Sequence, residues 1–150
     1  MQSNDPLVRL DDAVHLGEGE EMSDQDVESL RGAYRDFNAG KPETVLAMVD
    51  ENVEWTEPGG GNAPGGTFTG PQAVGEQVFA PISQSFDEFV CSPENFDDRG
   101  DTVVVTGRFS GTNKSGADLD AAFTHTFEFK DGKIVRFNHE VDEGWAAGWS

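Results

Sequence analysis

The chain has 150 residues, a length that suits one domain with its own core. Its 29 Asp and Glu residues against 10 Lys and Arg give a formal net charge of −19, so neither nucleic acid nor a membrane is expected as a partner. The lone Cys91 excludes an intramolecular disulfide and a cysteine-rich metal site. With no apolar stretch of spanning length, a cytoplasmic protein is expected, and the dispersed acidity predicts a halophilic, acidic surface.

Residues 1–21 are polar and acidic with little periodicity, so they are predicted to form a flexible extension ahead of one domain, 22–150. A first helix is expected to begin at Ser23, which can cap it. Its apolar stripe recurs at three- and four-residue spacing and comprises Val27, Leu30, Tyr34 and Phe37. A second helix is predicted to start around Pro42, because proline is favoured in a first turn.

A short strand over 53–57 then breaks at Pro58 into a glycine-rich loop. Val53, Trp55 and Glu57 share one face, because side chains two apart in a strand point the same way. A carboxyl group in apolar surroundings is a candidate catalytic group, since desolvation raises its pKa toward neutral pH. Two structural interpretations stay open: Glu57 bonds to the loop behind it, or the strand ends earlier and leaves it in solvent.

The stretch 71–80 is predicted as a third helix that Pro81 closes. The period then changes, which predicts strands at 86–96 with a bulge at Pro93, 102–111, 121–130 and 134–142. Asp131 and Gly132 are the pair typical of a tight hairpin. Helices followed by hairpin strands indicate an α+β fold: a cone in which three helices pack on the concave face of a strongly curved antiparallel sheet.

The last two predicted strands each carry a histidine on an apolar face. His125 shares its face with Phe123 and Phe127, so it is either a core histidine or a group that donates a hydrogen bond and moves protons. His139 shares a face with Phe137 and is expected to join the same cavity. A facial site made by these histidines and Glu57 would suit a metal, but ligands scattered over three elements do not predict one.

Four segments occur in an order and spacing that carry a family resemblance: FNAGKPETVLAMVDENVEW, EPGGG with GGTFTGPQAV, DTVVVTGRFSGT, and FTHTFEFKDGKIVRF. They resemble the nuclear transport factor 2-like (NTF2-like) superfamily, in its SnoaL-like polyketide cyclase and ketosteroid isomerase-like branch. The similarity covers about residues 23–143. It implies a cone-shaped α+β fold, a pocket for a small hydrophobic molecule, a homodimer and no cofactor.

The resemblance also implies roles for individual residues. In the isomerase branch the general base precedes the loop, where Glu57 stands, and the oxyanion-hole acid falls at His125, which can donate to an enolate oxygen. Cyclase-like members use an inward Asp or His, whose counterparts are Asp142 and His125, although strand alternation puts Asp142 on a solvated or subunit-facing side. Tyr34 lies one residue from the isomerases' tyrosine, about a hundred degrees around the helix, which argues against steroid isomerisation.

Three functions follow as hypotheses. The first is an isomerase or aldol-type cyclase acting on a small hydrophobic carbonyl compound, with Glu57 as base and His125 as hydrogen-bond donor. The second is non-catalytic binding of a small apolar ligand, and the third is a dimeric interaction module without activity. The residues predicted to line the pocket are Tyr34, Trp55, Phe68, Phe123, Phe127, Phe137 and His139.

Overall fold

The N-terminal helix is longer than the sequence pattern indicated. A computed structural model describes the backbone of residues 12–150 and the side chains from residue 24 onward. Helix α1 spans Asp12–Asn38, so the expected start and cap at Ser23 are wrong. The helix runs through this serine because no proline interrupts it and serine is tolerated within helices. Residues 1–11 of the predicted extension lie outside the described residues, and the domain boundary at residue 22 stays a prediction.

Two further helical segments precede most of the sheet. The first is helix α2, Glu43–Met48. The second is continuous and consists of α3, Pro71–Val74, a π-helical turn, Gly75–Phe79, and α4, Ala80–Ser85. The predicted end of the third helix before Pro81 is therefore wrong. Pro81 lies in the first turn of α4, where its missing N–H is tolerated.

The strands form one curved, unclosed six-stranded sheet in the order β2-β1-β6-β5-β4-β3. They are β1 Val49–Pro58, β2 Gly65–Thr69, β3 Phe86–Asp98, β4 Thr102–Asn113, β5 Asp118–Lys130 and β6 Lys133–Val141. The predicted α+β class is thus confirmed. Two details differ: β2 was not predicted, since its glycines have low strand propensity, and β1 pairs with β6 in parallel.

Local signals in the strands agree with the structure. The register of β3 against β4 shifts between Pro93 and Asn95, which confirms the bulge. Asp131 and Gly132 both have positive φ, 53° and 79°, as the predicted tight hairpin requires. Along β5, buried and less buried side chains alternate over most of the strand, so one face lies on the core.

A short C-terminal helix closes the core and was not predicted. Helix α5, Gly144–Gly148, brings Trp145 and Trp149 into the buried cluster. It packs closely on β5, because a Cβ at Gly148 would lie 2.9 Å from Leu119 Cβ. None of the helices in the described part of the chain has the length and apolarity needed to cross a membrane.

Candidate functional site

A cavity of about 80 Å³ lies between the inner face of the sheet and the helices. One water needs about 10–15 Å³ by this kind of measure, so the space suits several waters or one small molecule. Its walls are mostly aliphatic and aromatic. The polar side chains among them, apart from the tryptophans, are Tyr34, Glu57, Cys91, His125 and His139.

Glu57 is held inside this cavity by neighbours on two adjacent strands. Its side chain is buried, and the indole N–H of Trp55 donates a 2.7 Å hydrogen bond to Oε2. The other oxygen, Oε1, lies 2.9 Å from Nδ1 of His139. The parallel pairing of β1 with β6 makes this contact possible, because it sets Trp55 opposite Phe137. Two residues further along the same face of each strand, Glu57 and His139 therefore lie side by side.

The contact with Glu57 also determines which nitrogen of His139 is available. When Glu57 is ionised, its carboxylate can only accept hydrogen bonds, so in that state Nδ1 of His139 is the donor. In the neutral imidazole this leaves Nε2 with a free lone pair. Nε2 is buried and has no hydrogen-bond partner. His139 thus lines an apolar cavity, is oriented by Glu57, and has one buried nitrogen without a partner.

A second pair, Tyr34 and His125, is held differently. The Tyr34 hydroxyl oxygen lies 2.7 Å from Nδ1 of His125, and the two rings are nearly parallel, with centroids 5.9 Å apart. Burial, and secondarily repulsion from His139 when that ring is protonated, holds the pKa of His125 well below its ordinary value of 6.5. Burial, with a smaller contribution from Cys91, raises the pKa of Tyr34 well above 10. Both residues are therefore neutral at pH 7.

This neutral pair keeps one hydrogen-bond donor to spare. If the Tyr34 O–H donates to Nδ1, His125 carries its proton on Nε2; if Nδ1–H donates instead, the Tyr34 O–H is free. Either way, the pair can offer one donor to a bound molecule. It lies beside the first pair, because His125 and His139 are directly opposite in the β5–β6 register, with ring centroids 4.6 Å apart.

The structure brings most of the predicted pocket residues together at this cavity. Besides Glu57 and His125, the residues found in its wall are Tyr34, Trp55, Phe127, Phe137 and His139. From the sequence, a one-residue offset was expected to turn Tyr34 away from the family position. Tyr34 nevertheless lines the cavity. Tyr34 belongs to the apolar stripe of α1, and that whole stripe faces the sheet, so its hydroxyl points inward with Leu30 and Phe37.

Three predicted residues lie elsewhere. Phe68 is half-buried on β2, and Phe123 is buried behind His125, with ring centroids 4.0 Å apart; neither lines the cavity. Asp142 is exposed beyond the end of β6, where its carboxylate accepts hydrogen bonds from the backbone N–H groups of Ala122 and Gly144. These bonds lower the pKa of Asp142. The placement of Asp142 contradicts an inward acid/base role and agrees with its outward position in the strand alternation.

The sequence interpretation missed the aromatic residues of α5 and the part they play in the cavity. Trp145 donates a 3.1 Å hydrogen bond to the carbonyl oxygen of Gly59 in the glycine-rich loop, and its ring centroid lies 5.0 Å from that of His139. Trp149 also lines the cavity. Their four-residue spacing, one helical turn, was the available signal. Cys91 is buried, as expected of a small apolar residue, and burial raises the pKa of its thiol.

Within residues 24–150, no group of three or more His, Cys, Asp and Glu side chains is arranged to bind a metal ion. The Nδ1 atoms of His125 and His139 are already engaged by Tyr34 and Glu57.

Comparisons with known proteins agree with this architecture. An NTF2-like protein from Burkholderia thailandensis is 26% identical, covering 85% of this chain and 95% of that one, with a TM-score of 0.75. An NTF2-like protein of unknown function from Burkholderia pseudomallei is 27% identical, with coverages of 79% and 91% and a TM-score of 0.72. TerC, co-crystallized with polyporic acid, is 27% identical, with coverages of 78% and 91% and a TM-score of 0.69.

No curated protein shows a significant match to the chain. Residues 30–137, well over half of the chain, match the family model of the SnoaL-like domain. The chain therefore belongs to the SnoaL-like domain family within the NTF2-like superfamily.

Proposed function

We propose that this protein is an acid/base enzyme acting on a small, mostly apolar carbonyl compound, by isomerisation or aldol-type cyclisation. His139 is the base, oriented by Glu57, and the Tyr34–His125 pair donates a hydrogen bond to the carbonyl oxygen. The observation that supports the proposal is that His139 lines an apolar cavity, with Nε2 buried and unpartnered and Nδ1 in contact with a buried carboxyl group. This modifies the sequence-based hypothesis, in which Glu57 itself was the base.

The contacts of Glu57 explain the change of base. Both of its oxygens already have partners, Trp55 and His139, whereas Nε2 of the histidine has none. A carboxylate bonded to Nδ1 holds the imidazole in one tautomer and stabilises the imidazolium that forms when Nε2 takes a proton. Glu57 is therefore a positioning residue, and His139 is the group that touches the substrate.

The proposed reaction begins with transfer of a proton from the carbon next to the carbonyl to Nε2 of His139. The electron pair of that C–H bond moves toward the carbonyl group and gives an enolate. The enolate oxygen accepts a hydrogen bond from the spare donor of the Tyr34–His125 pair. A neutral donor in a water-poor site stabilises such developing charge more strongly than water does. In isomerisation the imidazolium then returns its proton to the far carbon of a conjugated enolate, which shifts the double bond. In cyclisation the enolate carbon attacks a second carbonyl of the same molecule, and the alkoxide that forms takes the proton back from the imidazolium.

The test is deuterium exchange at the α-carbons of cyclohexanone and 4-methylcyclohexanone in D₂O, followed by proton NMR. The wild-type protein should accelerate exchange, and His139→Gln should lose about 10²- to 10⁴-fold of that acceleration, the usual range for a general base. Glu54→Gln is the matched control, because Glu54 is an exposed acid on the same strand as Glu57. Equal acceleration by His139→Gln and the wild type would remove the base assignment.

Non-catalytic binding is the second candidate function. Its support is the mostly apolar wall of the cavity and the likeness to TerC, which was co-crystallized with polyporic acid. It predicts that a cyclic ketone raises the melting temperature while no deuterium enters the α-positions. The homodimer, the salt-adapted acidic surface, the cytoplasmic location and the absence of nucleic-acid and membrane partners remain predictions from the sequence.

A further inference from the structure

Two buried side-chain nitrogens lack a hydrogen-bond partner among the side chains described from residue 24 onward: Nε2 of His139 and Nε1 of Trp149. Both residues line the same cavity. Buried polar groups without partners are rare, because each one loses its hydrogen bonds to water and gains nothing in exchange. The proposed function accounts for the nitrogen of His139 and leaves that of Trp149 unexplained.

The other two indoles show how this fold treats the same group. The Trp55 N–H donates to Glu57, and the Trp145 N–H donates to the carbonyl oxygen of Gly59. Trp149 is only 2% exposed, so bulk solvent does not supply an acceptor there. An indole nitrogen can only donate. The group that would satisfy Trp149 is therefore a hydrogen-bond acceptor.

Trp149 is also held firmly in place. The Asn113 side chain donates to the carbonyl oxygens of Gly148 and Ser150, at 2.9 and 3.2 Å, on either side of it. The Trp149 carbonyl oxygen accepts a 3.1 Å hydrogen bond from the backbone N–H of Asn62 in the glycine-rich loop. These bonds fix the backbone that carries the indole, and the side chain itself is buried, so its N–H loses little entropy when it binds an acceptor.

We propose that the indole N–H of Trp149 recognises a second acceptor oxygen of the substrate, separate from the reacting carbonyl. The inference rests on the proposed function, because His139 and the Tyr34–His125 pair are assigned to the first carbonyl. The substrate class is then a small, mostly apolar ketone with another carbonyl or ether oxygen. Trp149 is a specificity-determining residue that favours this class over equally sized ketones with a hydrocarbon group in that place.

The probes are 1,4-cyclohexanedione and 4-methylcyclohexanone, which have the same ring and first carbonyl and differ in an oxygen or a methyl group at the far carbon. The chain has three tryptophans, so three indole N–H signals are expected in a ¹H–¹⁵N spectrum, and Trp149→Phe identifies one of them. The dione should shift the Trp149 signal downfield, as a new hydrogen bond does, and the methyl ketone should not. The signals of Trp55 and Trp145, already bonded, serve as internal references.

The affinity ratio of the two ketones gives a second measurement. In the wild type the dione should bind more tightly, and Trp149→Phe should reduce this preference by about threefold to tenfold, the effect of one hydrogen bond. A general change in cavity volume alters both affinities alike, so it does not change their ratio. An equal shift with both ketones, an unchanged ratio in the variant, or binding of neither ketone would overturn the inference. If the variant does not fold, Trp55→Phe and Trp145→Phe assign the other two signals, the third belongs to Trp149, and the wild-type spectrum decides.

Failure of this inference is distinguishable from failure of the proposed function. A dione-specific shift of the Trp149 signal without deuterium exchange supports recognition by Trp149 and refutes the catalytic proposal. Deuterium exchange that depends on His139, together with an unchanged ketone preference in Trp149→Phe, supports the catalytic proposal and refutes recognition by Trp149.

Discussion

The two hydrogen-bonded pairs of the cavity place the same residue type in contrasting surroundings. His125 and His139 face each other on neighbouring strands, yet one contacts a phenol and the other a carboxyl group. The partner of His125 is neutral, and burial keeps the imidazole uncharged. The partner of His139 can compensate a positive charge on the ring. The comparison indicates that the partner, rather than the residue type or the strand face, determines whether a buried histidine has a group that can compensate a positive charge.

The largest expected effect on stability comes from removing the carboxyl group of Glu57, which contacts both Trp55 and His139. Glu57→Ala leaves the Trp55 N–H and the Nδ1–H of His139 buried without an acceptor. Each unsatisfied donor costs about 1–3 kcal/mol, so the free energy of unfolding should fall by about 2–6 kcal/mol, measured by urea denaturation. Glu54→Ala, the exposed control, should change it by less than about 1 kcal/mol. Similar losses in both variants would show that the buried contacts of Glu57 contribute little.

A smaller effect should appear in the pH dependence of the free energy of unfolding, and it comes from His125 in the Tyr34–His125 pair. The unfolded chain protonates His125 near its ordinary pKa of 6.5, whereas the folded chain does so only at much lower pH. The unfolded state therefore binds more protons in this window, and stability decreases as the pH falls below about 6.5, by up to about 1.4 kcal/mol per pH unit.

The variant His125→Phe should lack this component. Urea unfolding of the variant and the wild type between about pH 7.5 and 5 gives the difference in slope, because the other titrating groups contribute to both proteins. Parallel stability curves would contradict a neutral His125 in the folded protein, and with it the contrast between the two pairs.

The smallest effect concerns the acid that the resemblance suggested as a third catalytic group. Asp142 is exposed and bonds to the backbone N–H groups of Ala122 and Gly144, outside the cavity. Asp142→Asn should therefore leave the α-deuterium exchange of 4-methylcyclohexanone unchanged. A rate loss as large as that of His139→Gln would bring Asp142 back into the proposed mechanism.

Local patterns predicted which faces of the strands carry the site. Alternation along a strand placed Glu57, His125 and His139 among apolar neighbours, and all three are buried in the structure. The helical stripe of α1 placed Tyr34 with Leu30, and both line the cavity. These features depend on residues a few positions apart, so backbone geometry alone is enough to read them.

The pairing of these groups depended on contacts between distant parts of the chain. Tyr34 meets His125 across 91 positions, and Glu57 meets His139 across 82. The second contact needs the parallel alignment of β1 with β6, which no local pattern encodes. The burial of Trp149 likewise depends on how α5 packs on β5. The sequence by itself thus determined most of the helices and strands, their apolar faces and the candidate groups on them. Tertiary packing decided which of those groups bond to one another and which buried nitrogens stay unpaired.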